Sequence, residues 1–391
     1  ARLLPFEKDG VRIDPYDIAK QKYFKYPPPI MDMEISKAID SYETLLHKYD
    51  TKRSSGKIRI SLEESLHAFE NVNAVNSGTS AGFPMTCRNE DNLKKMYYKA
   101  IHDNDVDQER KVLQRIASAV DNALNKMDNG IRPAFIYKDN LKDETRPYDK
   151  VVEGKTRLFS GSPFILLVMF RMFFGSFIDF FFEANLDIGS AIGINPYSLD
   201  WDRLARYLLK FSSGNKTFEN IGAGDYKEYD SSQYTSIHNA ILEMINRWYG
   251  PNDPDNKYRF LLWYEITNSY HVFNNEVYCW EGKLPSGNPL TAIINTIYNN
   301  TLIRIAWVLA ELPIEFFNDN VYVAALGDDI VFSVAPAFVD QFNELTLPTL
   351  YSKIGLIYTH ETKGSHEFKF RNIFQVDFLK RSFKYDKALN R

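Results

Sequence analysis

The sequence predicts an α+β chain, on three observations. Proline-free segments with spaced apolar residues dominate the first half, short β-branched and aromatic strand signals come later, and the two do not alternate as in a doubly wound sheet. Helices are expected over Asp32 to Lys48, Leu93 to Lys99, Asp105 to Met127 and Pro163 to Phe182. Strands are expected over Ile221 to Tyr226, Val321 to Leu326 and Ile330 to Val334, each bounded by Gly or Asp. Helical segments from Ser236 to Trp248 and Leu290 to Ala310 lie between them, so the expected arrangement is a small antiparallel sheet backed by helices. Tyr26-Pro27-Pro28-Pro29 forbids helix and favours an extended strap, so the first 30 residues should drape over another element.

A chain of 391 residues with 44% hydrophobic residues can bury a large core and divide into two or three domains. Its formal charge of −4 excludes a uniformly basic surface, so any grip on nucleic acid must come from local strips. One strip runs from Lys363 to Arg391, where eight Lys or Arg stand against three Asp or Glu, a local net charge of +5. A solvated charged surface is the plain alternative for such a run. Cys87 and Cys279 cannot form a disulfide framework or a four-ligand zinc site, which fits a reducing compartment. The seven histidines show no paired metal-ligand spacing. Pro163 to Phe182 has eight uninterrupted apolar residues before Arg171, and Asp179 follows, so a buried helix and no transmembrane segment is expected. No signal peptide is visible, and the absence of an initiator Met suggests a processed or trimmed chain.

The chemistry concentrates where Gly327-Asp328-Asp329 joins the last two strands into a hairpin with an acidic tip. Adjacent carboxylates raise each other's pKa unless a cation neutralises them. A second cluster, Asp225-Tyr226-Lys227-Glu228-Tyr229-Asp230, ends a run whose Gly222 and Gly224 permit close backbone approach. If that strand pairs with the hairpin, Asp225 and Asp328 face one another. They would then offer the hard oxygen ligands that Mg²⁺ or Mn²⁺ at a phosphate site requires. Alone, Gly-Asp-Asp is also an ordinary turn, because both residue types tolerate the backbone angles of a tight hairpin.

The neighbouring segments change that balance. Asp225-x4-Asp230, Ser286-Gly287-x3-Thr291-x3-Asn295 and Gly327-Asp328-Asp329, in this order, resemble motifs A, B and C of picornavirus-like RNA-dependent RNA polymerases. Thr79-Ser80-Ala81-Gly82-Phe83-Pro84 looks like motif G. Lys142 to Arg146 with Lys150 and Gly154-Lys155-Thr156-Arg157 looks like motif F, and Gly189 to Gly193 like the segment leading into the palm. Lys363 falls where motif D carries its lysine, and Phe378 to Arg381 resembles motif E. The resemblance covers roughly residues 75 to 385. Asn288-Pro289-Leu290 replaces the small residues of vertebrate picornaviruses and looks more like insect or plant picorna-like viruses, with iflaviruses and dicistroviruses as the candidate branch.

The resemblance implies an α+β right-hand polymerase. Residues 1–170 would form fingers, 171–235 the first part of the palm, 236–280 a fingers insertion, 281–377 the second part of the palm, and 378–391 motif E and the start of a thumb that is mostly absent. It implies two Mg²⁺ or Mn²⁺ ions held by Asp225, Asp328 and Asp329, with Asp329 in a supporting place, and Lys363 as general acid toward pyrophosphate. Lys150 and Arg157 would hold the triphosphate by charge-assisted bonds, with Gly154 as a hinge. Asp230, Ser286, Thr291 and Asn295 would select ribose, since a buried polar group left unpaired costs about 1 to 3 kcal/mol. Thr79, Ser80, Gly82, Lys142, Gly287, Lys380 and Arg381 would contact RNA, Gly287 by letting its loop flex. The implied partners are RNA template and primer, nucleoside triphosphates, a protein primer (VPg) and other viral replication proteins, in host cytoplasm at membrane-associated replication complexes.

Two other classes compete. Reverse transcriptases share the two-metal chemistry, but their hairpin tip usually carries an aromatic-x-Asp-Asp sequence and their motif A a bulky gate against the 2′-hydroxyl. Here the tip is Leu326-Gly327-Asp328-Asp329, and Asp230 stands in motif A. An inactive RNA-binding scaffold is the other, and it would bind RNA without incorporating nucleotide.

Overall fold

A computed structural model describes residues 1–25, 27–28, 30–50, 56–87, 92–361 and 367–387. The four amino-terminal helices form as Asp32–Asp50, Leu93–His102, Val106–Asp128 and Phe164–Ala184. Two of them start at side-chain caps: the Asn92 side chain accepts from the Lys95 amide, and that of Asp105 accepts from the Gln108 amide. Phe164–Ala184 is long and apolar enough to cross a membrane, yet it is the central core helix, buried on nearly every face. Its two buried charges are satisfied from outside the helix. The Arg171 guanidinium donates to the carbonyls of Ser65 and His67, and Asp179 accepts from the amide and side chain of Asn71.

A four-stranded sheet, antiparallel throughout, runs in the order Tyr358–Thr359, Ile221–Tyr226, Asp329–Val334, Val321–Leu326. Helices Thr235–Tyr249 and Thr291–Leu309 pack together, and the second lies on the edge strand Val321–Leu326. The close approach foreseen at the glycines has aromatic rings as its cause. A β-carbon on Gly224 would lie 2.1 Å from the Tyr358 ring, and one on Gly222 would lie 2.5 Å from Phe332. The Gly189–Gly193 segment extends the far edge, with the Ala191 amide on the Ala325 carbonyl.

A second sheet was not expected from the sequence. It is mixed, in the order Leu158–Gly161, Ile136–Leu141, Tyr270–Phe273, Glu276–Cys279, with the two central strands parallel. Its strands are short and half polar, so they carry little local signal. The amino-terminal segment seats on it, Tyr16 stacking on Phe273 and Tyr23 on Trp280 at ring separations of 3.6 and 4.0 Å. Of the proline strap, Tyr26 and Pro29 lie outside the described residues. Pro28 packs against Gly355, where a β-carbon would come within 2.4 Å of its ring.

Candidate active site

Strand register brings the two acidic clusters together. Gly224 pairs with Ile330, so Asp225, the next residue, comes level with Asp329 at the open end of the sheet. Leu326 pairs with Asp329, leaving Gly327-Asp328 as a two-residue turn, and Gly327 at φ +64° supplies the positive angle its first position needs. Asp225, Asp230, Asp328 and Asp329 line one cleft of about 700 Å³. Burial first, then Asp329, Asp230 and Asp225, push the Asp328 carboxyl up to about 6. The turn is nevertheless exposed to solvent, and water moderates that rise.

Helix Thr291–Leu309 holds the acidic turn by its backbone atoms. The Gly327 amide donates to Thr296 Oγ1 at 3.0 Å, while Asn299 Nδ2 donates to the carbonyls of Gly327 and Asp328 at 3.0 and 3.1 Å. Asn299 Oδ1 in turn accepts from the Tyr226 hydroxyl, beside Asp225 on the neighbouring strand. Thr296 and Asn299 are a support that the motif reading passed over. Their signal was present as a polar stripe, Asn295, Thr296, Asn299, Asn300 and Arg304, in a mostly apolar buried helix.

The cations on the cleft wall are Lys22, Arg146, Arg157 and Lys380. Of the residues expected to bind nucleotide or RNA, Arg157 and Lys380 lie on this wall. Glu144 sits within 3.6 Å of Arg146 and 3.8 Å of Arg157, bracketing the two guanidiniums. Lys150 is not on this wall; its ammonium lies 3.7 Å from Asp149 on the short helix Tyr148–Val152. Lys142 extends the pairing of Ile136–Leu141 with Leu158–Gly161 through its amide on the Arg157 carbonyl. Lys22 was not foreseen, because the aromatic stacking of Tyr23 on Trp280 delivers it from the amino-terminal segment. Burial pulls its ammonium below the usual lysine range, opposed by Asp230 and Glu228. Lys380 reaches the cleft from a tight turn in which it and Leu379 both take positive φ, +60° and +52°. Arg381 faces elsewhere, donating to the Tyr197 hydroxyl at 3.2 Å.

The remaining residues of the expected ribose network are off the cleft wall. Thr291 Oγ1 donates to the carbonyls of Pro285 and Asn288, tying the helix start to its own turn. Asn295 is buried, with Oδ1 accepting from Gln233 Nε2 and its carbonyl accepting from the Tyr229 hydroxyl. Ser286 is half-buried. Gly287 sits where a β-carbon would fall 1.9 Å from the Ser160 carbonyl, so close backbone approach, and not flexibility alone, demands glycine there. Thr79 and Ser80 are exposed, and the loop they begin is fixed from beneath by the buried Lys94, whose Nζ donates to Thr79 O and Oγ1 at 2.8 and 2.6 Å. Gly82, at φ +68°, packs on the Ser162 carbonyl. Lys363 lies outside the described residues.

The cleft's donor set is carboxylate oxygen, which suits a hard divalent cation. Among the described residues no three of these side chains are yet gathered closely enough to hold one as they stand. Asp225, Asp328 and Asp329 fit the ion by chemistry and by shared location.

Comparison with known proteins agrees with this architecture. The family profile described as viral RNA-dependent RNA polymerase matches residues 9–391. The replicase polyprotein of Cricket paralysis virus is 32% identical over 294 residues, covering 71% of this chain and 16% of the polyprotein. The genome polyprotein of Deformed wing virus is 33% identical over 65% of this chain and 9% of the polyprotein, and that of Rice tungro spherical virus 26% identical over 98% and 11%. The chain thus spans a small part of the polyproteins it resembles. Among solved structures, the Sicinivirus 3Dpol RNA dependent RNA polymerase superposes with a TM-score of 0.74 at 20% identity, over 97% of this chain and 73% of that one. With the profile matching nearly its whole length, the chain belongs to the viral RNA-dependent RNA polymerase family of picorna-like viruses.

Proposed function

We propose that the cleft joins ribonucleotides to a primer 3′-hydroxyl under the direction of an RNA template, in replication of a positive-strand RNA virus genome. The observation that carries this reading is the cleft's composition: Asp225, Asp230, Asp328 and Asp329 share it with Lys22, Arg146, Arg157 and Lys380. Carboxylates suit metal ions, and cations suit a triphosphate. In this reading residues 1–170 and 236–280 are fingers, 171–235 and 281–377 palm, and 378–391 begin the thumb.

Asp225 and Asp328 would hold two Mg²⁺ or Mn²⁺ ions, with Asp329 supporting them from one side. When bound, the ions neutralise charge at the reacting phosphate and lower the pKa of the attacking hydroxyl. Arg146, Arg157 and Lys22 orient the triphosphate by charge-assisted hydrogen bonds, Arg being suited to bidentate phosphate contacts. Asp230 accepts a hydrogen bond from the ribose 2′-hydroxyl, supported through Asn295 and its neighbours. Lys363 delivers a proton to the departing pyrophosphate. Thr79, Ser80 and Gly82 guide the template strand, and Lys380 meets the primer backbone.

Primer extension with a labelled ribonucleotide on an RNA template tests the reading. Extension that needs Mg²⁺ or Mn²⁺ and stops with chelator is expected; RNA binding without extension under any metal would favour a scaffold. A pH effect follows from Asp328. Its carboxyl must lose a proton to receive a cation, so thermal stabilisation by millimolar Mg²⁺ should be clear at pH 7.5 and largely gone at pH 5. Equal Mg²⁺-induced shifts in melting temperature at both pH values would exclude Asp328 as a ligand.

A further inference from the structure

The turn that carries Asp230 is held from two sides. Glu228 enters it at φ +54°, and a single 3₁₀ turn, Tyr229–Ser231, follows. On the helix side the Tyr229 hydroxyl donates to the Asn295 carbonyl at 2.8 Å. On the other side the Lys283 ammonium donates to the Ser231 carbonyl at 2.7 Å, from a side chain only 1% exposed. Lys283 lies three residues before Ser286, outside the motif.

Its backbone leaves little freedom. Gly282, at φ +66°, would bring a β-carbon within 2.1 Å of Thr235 Oγ1, so that site admits no side chain. The amides of Trp280 and Lys283 donate to the carbonyls of Ser269 and Thr267 at 2.9 and 3.1 Å, and Gly287 rests on the Ser160 carbonyl. The segment 280–287 is therefore anchored before and after Lys283, and the lysine reaches from it to the Asp230 turn.

We propose that Lys283 is a positioning residue for ribose selection, holding the Ser231 carbonyl and thereby fixing Asp230 relative to the Ser286-Gly287 loop. The proposal rests on the reading of Asp230 as the group that senses the 2′-hydroxyl. The surroundings agree with a retained charge: burial lowers Lys283 only to about 8, so the ammonium persists at neutral pH. Burial, and after it Lys283, push His238 down to about 3. Neutral His238 donates from Nε2 to Gln233 Oε1, and Gln233 Nε2 donates to Asn295 Oδ1, so hydrogen bonds run in one direction toward the helix beside the turn.

The test compares Lys283→Met, Asp230→Ala and the double variant by kcat/KM for one ribonucleotide and its deoxy counterpart in primer extension. Lys283→Met should lower ribose discrimination about tenfold through weaker ribonucleotide use, with deoxynucleotide incorporation unchanged within about twofold, and the double variant should match Asp230→Ala. Parental discrimination in Lys283→Met, or equal losses with both sugars, overturns the proposal when Asp230→Ala itself loses discrimination. An Asp230→Ala variant that still discriminates like the parent overturns the ribose reading and the role of Lys283 with it. Should Lys283→Met not fold, Lys283→Leu, which also removes the donor, is read by the same criteria.

Discussion

Asp328→Asn is expected to lower nucleotide incorporation by about a thousandfold or more, as several kcal/mol of transition-state charge stabilisation are lost. The fold should not suffer. Thr296 and Asn299 hold the turn by the Gly327 amide and by the carbonyls of Gly327 and Asp328, none of which changes in the variant. The sign of the stability effect follows from the raised carboxyl. A group whose folded pKa lies above its unfolded value contributes fully below the unfolded value and loses that contribution as pH rises through about 6. At pH 7.5, without divalent cation, the variant should therefore melt at or slightly above the parent. A variant that keeps more than about a tenth of the parental rate in Mg²⁺ would remove Asp328 from the metal assignment.

The largest stability effect is expected at Arg371, whose guanidinium is buried between two carboxylates. It donates to Glu344 at 2.7 and 3.1 Å and to Glu361 at 2.6 and 2.9 Å, with a further bond to the Ala223 carbonyl at 3.3 Å. Glu344 also accepts from the Ala223 amide, so the cluster grips the strand two residues before Asp225. Arg371→Leu takes the buried cation away from both carboxylates and should cost about 3 to 5 kcal/mol in denaturant unfolding. Replacing Glu344 with Gln as well should recover part of that loss, because less negative charge then stays buried without the cation. A cost under about 1 kcal/mol would mean that the cluster does not brace the strand.

Much of this was legible in the sequence, and the reasons differ by element. Ile221–Tyr226 and Val321–Leu326 form with the bounds expected, and the second is an apolar run that ends at Gly327 of the turn. The carboxylates that share the cleft were legible because they stand in short motifs, Asp225-x4-Asp230 and Gly327-Asp328-Asp329. The second sheet was hidden: Ile136–Leu141 reads Ile-Tyr-Lys-Asp-Asn-Leu, and its strand character comes from pairing with Tyr270–Phe273, far along the chain. Lys22 was hidden for a related reason, as ring stacking between distant segments decides where it points. Asn299 could have been found, by asking what a buried helix does with its polar stripe.

The most direct measurement is single-nucleotide addition to a primer annealed to four RNA templates that differ only in the base opposite the incoming position. In Mg²⁺, each template should direct its complementary ribonucleotide, and Asp225→Asn and Asp328→Asn should add none on any template. Addition that ignores the template base, or that persists in both variants, would contradict the assignment of this cleft to RNA-templated synthesis.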